Sequence, residues 1–283
     1  MPLTQIERYH RPPDVDAAWR LLKDGDGAAH LLGGGTDLVV RCPPRVTSLV
    51  DLAHIGLRYV EPTDDGGLRL GAMSTFTDLL EHPAVATYGT GVVGEMLTQV
   101  GSVLHRNSAT IGGHVVRSRL SDVLPVLLAL DASVVTYAGQ RTERTIAEYL
   151  DADLGPHVVV EVRLPAPVDG LAAAFTRFSR TAFDHALVNA CCRVDVDDEV
   201  VVNARVVVGE STSVGRRVPA AEEALIGATL TPDVVAGVAE VARGSVELHG
   251  DWIASAEYRH HLAGVAVARC LTAVIERSQG GAA

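Results

Sequence analysis

Aromatic residues are scarce in this chain. They supply 4% of its 283 residues against 47% for apolar residues as a whole, so the interior must be built from Val, Leu, Ile and Ala. Cysteine is rarer still. Cys42, the neighbours Cys191 and Cys192, and Cys270 are the only four, and none stands in a C-x-x-C spacing. They read as buried free thiols, and their spacing argues against an iron–sulfur cluster held by this chain alone. Basic residues are in deficit, 24 against 35 acidic ones for a formal charge of −11, which argues against nucleic acid or another polyanion as partner. No apolar run approaches the ~20 residues of a bilayer span, and the opening "MPLTQIERYHRPP" lacks the apolar core of a signal peptide. A cytoplasmic protein without membrane contact is expected, long enough for two packed units.

What is present is a succession of short elements. "DVDAAWRLLKDGDGA" places Ala17, Leu21 and Leu22 on one helical face and then meets a Gly-Asp-Gly stop. "AHLLGGGTDLVVR" is a short strand running into three glycines, and "TSLVDLAHI" and "GLRLGAM" read as further strands. Phe76 to Val103 is mostly helical with a break around Tyr88 to Gly94, and "PVLLALDASVVTY" reads as a helix running into a strand. The Pro-rich "RLPAPVDG", residues 163–170, reads as a linker. Beyond it, "HALVNACCRVDVDDEVVVNARVVVG" shows two β-rich runs around Asp-Asp-Glu, the pattern of an antiparallel hairpin. Leu262, Val265, Ala268, Leu271 and Ile275 then repeat at helical spacing behind Ser255, a candidate N-cap.

Two stretches carry the chemistry. Gly33, Gly34 and Gly35, followed by Thr36 and Asp37, let successive main-chain N–H groups converge on one point, a nest that suits a pyrophosphate. A tight turn joining two elements is the alternative for that loop taken alone. Further on, Gly112 and Gly113 follow the β-branched Thr110 and Ile111, so a strand is expected to end in backbone bare enough for a ligand to press against it. The two stretches lie more than seventy residues apart and cannot share a local turn, so one extended ligand, such as a dinucleotide, accounts for both. A literal G-x-G-x-x-G at Gly89, Gly91 and Gly94 lacks the preceding strand and the later acid of a nicotinamide site and reads as a turn between helices.

"LLGGGTDLVVR", "TSLVDLAHI", "LRLGAMSTFTDL", "GSVLHRNSATIGGH", "SDVLPVLLALDA" and "SRTAFDHALVNACCRV", in that order and spacing, resemble the FAD-binding middle subunit of the molybdenum hydroxylases, from about residue 4 to 278. The resemblance implies an α+β fold: a two-part FAD-binding domain of the vanillyl-alcohol-oxidase type, followed by a small C-terminal antiparallel sheet covered by helices. The expected division is 1–168, in subdomains of about 1–55 and 56–168, and 169–283. It further implies that Leu32, Gly33, Gly34, Gly35, Thr36 and Asp37 cradle the FAD diphosphate together with Thr110, Gly112 and Gly113. Ile111 would pack on the isoalloxazine, with His114 beside it, and Asp122 would bond the ribityl chain or a nearby group.

The stretch "HVVRSRLSD" departs from the family, which has Asn or Ser in place of His114 and a proline in the following loop. His114 has three readings: a hydrogen-bonding replacement for that Asn, a catalytic proton-transfer group, or a point of covalent attachment to FAD. Arg117 and Arg119 read either as ligands of an anion or as solvated arginines. His185 reads as packing. His260 and His261 lack a third ligand at metal spacing, so no metal site is expected.

Two functions follow. In the first, the chain is the flavin subunit of a molybdenum hydroxylase and passes electrons from a [2Fe-2S] small subunit to NAD, quinone or oxygen, beside a molybdopterin large subunit. In the second, it is a free-standing FAD-dependent oxidase or dehydrogenase acting directly on a small molecule.

Overall fold

A computed structural model of the chain describes residues 4–41, 43–210 and 214–280. In chain order it holds β1 (Arg8–His10), α1 (Val15–Asp24), β2 (Ala29–Leu32), α2 (Leu38–Arg41), β3 (Ser48–Asp51), β4 (Val60–Pro62), β5 (Leu68–Gly71) and α3 (Phe76–Glu81). A helical stretch follows: α4 (Pro83–Thr87), a 3-10 turn at Tyr88–Gly91, α5 (Val92–Gln99), α6 (Val103–Arg106), α7 (Ile111–Arg117) and α8 (Val123–Ala129). Next come β6 (Ser133–Tyr137), β7 (Arg141–Thr145), α9 (Ile146–Asp151) and β8 (Val158–Leu164). The last part holds β9 (Leu171–Phe178), β10 (Val188–Asp197), β11 (Val200–Glu210), β12 (Arg216–Arg217), α10 (Pro219–Leu225), α11 (Pro232–Ser245) and α12 (Ala256–Gly280).

These elements gather into two compact units. The first comprises Met1–His82, Ser102–Val116 and Ala132–Pro165, and the second Pro83–Gly101, Arg117–Asp131 and Ala166–Ala283. Two segments from the first 168 residues, 83–101 and 117–131, therefore belong to the second unit.

The first unit holds two sheets. One is a parallel sheet ordered β1-β3-β2, in which His10 and Leu31 both pair with Val50 and Leu32 pairs with Asp51. Its central strand is buried at every position, as a parallel strand covered on both faces should be. The other sheet is antiparallel, ordered β4-β5-β8-β6-β7. Helix α1 packs against both sheets: Asp14 caps it by accepting from Ala17 N at 2.8 Å, and Ala18 is wholly buried. Ala18, Ala29, Val50, Leu57, Val135, Val158 and Val160 form the shared core, which is aliphatic as the composition requires.

The second unit is the antiparallel sheet β12-β11-β10-β9, with α10, α11 and α12 building its main core. The Asp-Asp-Glu turn closes the β10–β11 hairpin: Asp198 and Glu199 take φ of 45° and 66°, the paired left-handed geometry that matches strand twist. Ser255 accepts from Tyr258 N at 3.2 Å, just before α12. The Gly89–Gly91 part of the G-x-G-x-x-G stretch is a tight turn between α4 and α5, with Gly94 already inside α5, and Thr90 Oγ1 accepts from Ala173 N at 3.1 Å, which ties the turn to β9. No helix among the described residues is long and apolar enough to cross a membrane.

Candidate cofactor site

The three parallel strands end on the same side, at His10, Leu32 and Asp51, and the triple-glycine loop leaves from the middle of the three in sequence. Ligands of parallel sheets sit at such carboxyl ends. The Leu32 carbonyl still takes part in the sheet edge, accepting from Leu52 N at 3.1 Å. After it, the N–H groups of Gly33, Gly34, Gly35 and Thr36 meet no acceptor among the described residues. Gly34 is exposed, and Gly35 has a φ of 71°, which only glycine adopts without strain. The Gly35 carbonyl then accepts from Val39 N at 3.0 Å, and Arg41 Nε donates to Asp37 at 2.7 Å, so Asp37 serves the short helix α2. Four open amides make a receptor that an acidic chain can offer to a diphosphate without a cationic side chain.

The second strip lies against the first. A Cβ on Gly34 would overlap the Ser108 carbonyl, and one on Gly33 would come within 3.1 Å of Thr110 Oγ1. The strip's own amides, however, are engaged inside the protein. Ile111 N donates to Ser74 O at 3.1 Å, Gly112 N to Ala72 O at 3.0 Å, and Gly113 N to Thr110 Oγ1 at 3.2 Å. The expected strand at 110–111 is a single bridge, Thr75 with Thr110, and α7 begins at once at Ile111 with Thr110 capping it. β-Branching suggested a strand, but the Thr hydroxyl satisfies one of the first amides of a helix instead. Gly112 is glycine because a Cβ there would lie 2.6 Å from Ala72 Cβ. Ile111 is 1% exposed and enclosed by protein, so it is a core side chain rather than an open face.

His114 is half-buried one turn into α7, its ring 4.7 Å from Phe76 and 6.3 Å from the edge-on ring of His105. Burial, and then Arg106, hold the His105 imidazole below its ordinary pKa.

Asp122 belongs to the second unit, where Asn189 Nδ2 donates to it at 2.6 Å and Arg177 Nε lies 3.2 Å away. Burial pushes its carboxyl pKa up, against the opposing pull of Arg177, Asn189 and His185. Arg177 also donates to the carbonyls of Gln99, at 2.9 Å, and of Ala182 and Asp184, so it organises the loop that carries the exposed His185. Arg119 is exposed, and burial holds the half-buried Arg117 below its ordinary pKa.

Ala72–Asp78, to which the sequence alone gives no role, is the platform on which the second strip rests. Its signal was the Thr75-x-x-Asp78 spacing of a capping box, which the structure forms: Asp78 N donates to Thr75 Oγ1 and Thr75 N to the Asp78 carboxylate.

Residues 4–167 match the FAD binding domain in molybdopterin dehydrogenase, and residues 173–274 match the CO dehydrogenase flavoprotein C-terminal domain. The chain belongs to this family. It is 30% identical to the 6-hydroxypseudooxynicotine dehydrogenase complex subunit alpha of Paenarthrobacter nicotinovorans, over 94% of this chain and 93% of that one. It is 26% identical to the carbon monoxide dehydrogenase medium chain of Hydrogenophaga pseudoflava, covering 95% and 97%. A solved structure of carbon monoxide dehydrogenase from the same organism superposes with a TM-score of 0.89 at 26% identity, covering 96% of this chain and 98% of that one. As a molybdenum-hydroxylase flavin subunit, the chain has the fold that the resemblance implied, and it is a component of an FAD-dependent oxidoreductase. Membership favours the subunit reading over a free-standing oxidase. The open Gly33–Thr36 amides fit FAD, since they supply donors for a diphosphate without a cationic side chain.

Proposed function

We propose that this chain holds FAD with its diphosphate on the N–H groups of Gly33, Gly34, Gly35 and Thr36, between Leu32 and the helix that Asp37 stabilises. The observation that carries this reading is the run of four amides without acceptors among the described residues, lying beside Ser108 and Thr110. In this reading Thr110, Gly112 and Gly113 form the floor of the site rather than donors to it. Ile111 stiffens α7 from within the core, and His114 packs its ring on Phe76. Asp122, with Arg177 and Asn189, fixes the segment that follows α7.

FAD supplies the redox chemistry; the chain binds and orients it. Two relatives are named as a complex subunit and a medium chain, which supports partners here: a [2Fe-2S] small subunit as electron source and a molybdopterin large subunit, with NAD, quinone or oxygen as acceptor. The division into a FAD-binding part to about residue 168 and a C-terminal part is supported by the two family matches. A cytoplasmic location agrees with three buried, unpaired cysteines.

The test is the visible spectrum of the full chain purified, stripped and mixed with FAD. A stoichiometric yellow complex is expected, and Gly34→Val should abolish it. A wild-type chain that takes up no flavin overturns the proposal.

A further inference from the structure

The pair Arg58 and Asp78 does more than a helix cap needs. The Asp78 carboxylate accepts Thr75 N at 2.8 Å, which completes the capping box of α3, yet Arg58 also grips it with two hydrogen bonds, Nε and Nη2, each at 2.7 Å. Arg58 comes from the segment between the two sheets of the first unit. That segment is stapled to the platform: Tyr59 N donates to Ser74 Oγ at 3.1 Å, Ser74 Oγ to Tyr59 O at 2.7 Å, and Met73 N to Leu57 O at 2.8 Å. The platform in turn receives the second strip residue by residue. Phe76 N donates to Ala109 O at 3.0 Å, Thr75 bridges Thr110, and Ile111 N donates to Ser74 O. The strip finally abuts the open amides, through Ser108 against Gly34 and Thr110 against Gly33. From Arg58 to Gly33 the connection is continuous, and every step is a hydrogen bond or a close approach.

We infer that Arg58 and Asp78 are positioning residues for the cofactor loop: the bidentate ion pair holds the platform in register, so that Ser108 and Thr110 press the glycine loop into its amide-presenting form. The inference rests on the reading of Gly33–Thr36 as the diphosphate receptor. The physical reason is tolerance. The strip and the loop meet with no room for a methyl group at Gly34, so a small shift of the platform reaches the amides undamped, whereas donor geometry decides affinity. A planar guanidinium gripping both carboxylate oxygens resists rotation in a way that a single ammonium contact does not.

The experiment measures FAD affinity of the stripped full chain by flavin fluorescence, flavin circular dichroism of the complex, and the melting temperature of the stripped chain. Arg58→Met keeps the capping box and removes the grip. It should weaken FAD binding about tenfold and alter the flavin dichroism, with little change in the melting temperature. Arg58→Lys should recover part of the affinity, and Asp78→Asn, which retains an acceptor for Thr75 N, should behave like Arg58→Met. If the wild type binds FAD and both Arg58→Met and Asp78→Asn bind it with unchanged affinity and dichroism, the inference fails while the proposed function stands. A lowered melting temperature with unchanged affinity also overturns it, because the pair would then be a cap and nothing more. If the wild type binds no FAD, the proposed function itself has failed.

Discussion

The α-carbon of Gly34 faces the carbonyl oxygen of Ser108 so closely that any side chain on the former would occupy the space of the latter. Residues from two distant parts of the sequence thus share one contact, beside main-chain amides at Gly33–Thr36 that meet no acceptor among the described residues.

Gly34→Ala should therefore cost the chain its flavin, because neither a strained loop nor a displaced strip preserves the nest. Gly94→Ala is the control. Gly94 lies inside α5, where an added methyl group would meet nothing within 4 Å, and alanine is the better helix former by about 1 kcal/mol. Flavin absorbance per protein, measured after reconstitution, should be absent in the first variant and full in the second.

Removing Arg177 should unmask Asp122. With the arginine gone, Asn189 still donates to a carboxylate that is 6% exposed but supplies no charge to balance it, and an uncompensated buried charge costs about 3–5 kcal/mol. The Asp122 pKa is already raised by burial, so any stability linked to it is present at low pH and lost as pH rises through the folded value. Arg177→Met raises that value further. Urea midpoints should show the variant's deficit larger at neutral pH than in mild acid, and an equal deficit at both would refute the assignment.

His105 acts in the opposite sense. Burial lowers its pKa, so the unfolded chain takes up the proton first and stability falls as pH drops below about 6.5 toward the folded value. Replacing it with glutamine should flatten the melting temperature of the stripped chain between pH 7 and 5. A profile as steep as the wild type would assign the acid sensitivity to other groups.

Cys191, Cys192 and Cys270 should be silent toward a thiol reagent in the native protein. All three are buried; burial pushes the Cys191 thiol well above its ordinary value, and a hydrogen bond with Cys270 together with burial does the same for Cys192. Labelling should wait for unfolding, which timed reaction with a chromogenic disulfide would reveal.

How far the sequence was legible depends on the range of the interactions involved. The glycine loop could be read as a loop because it needs only local backbone freedom: three glycines follow the strand, β2 ends at Leu32, and Gly35 takes a φ of 71°. The β10–β11 hairpin and the start of α12 are local patterns too, and both formed where the residues suggested. The second strip was legible as a partner of the first, but its inner workings were not. Thr110 and Ile111 look like strand residues; one caps a helix and the other fills the core, because Ser74 and Ala72, nearly forty residues earlier, receive the amides of Ile111 and Gly112. Arg58 and Asp78 were invisible for the same reason, since nothing in a linear reading says that two charges twenty residues apart will close on each other. The burial of Asp122 likewise depends on Arg177 and Asn189, which arrive more than fifty residues later.

The proposed receptor, made of peptide dipoles, has consequences for solution behaviour and for mutation. Small counter-ions screen it little compared with a ring of lysines, so flavin retention should vary only weakly with ionic strength. The receptor also has no side chain to lose. Trimming a side chain within the loop itself removes no donor, and added bulk at Gly34, where a Cβ would overlap the Ser108 carbonyl, is what it cannot absorb.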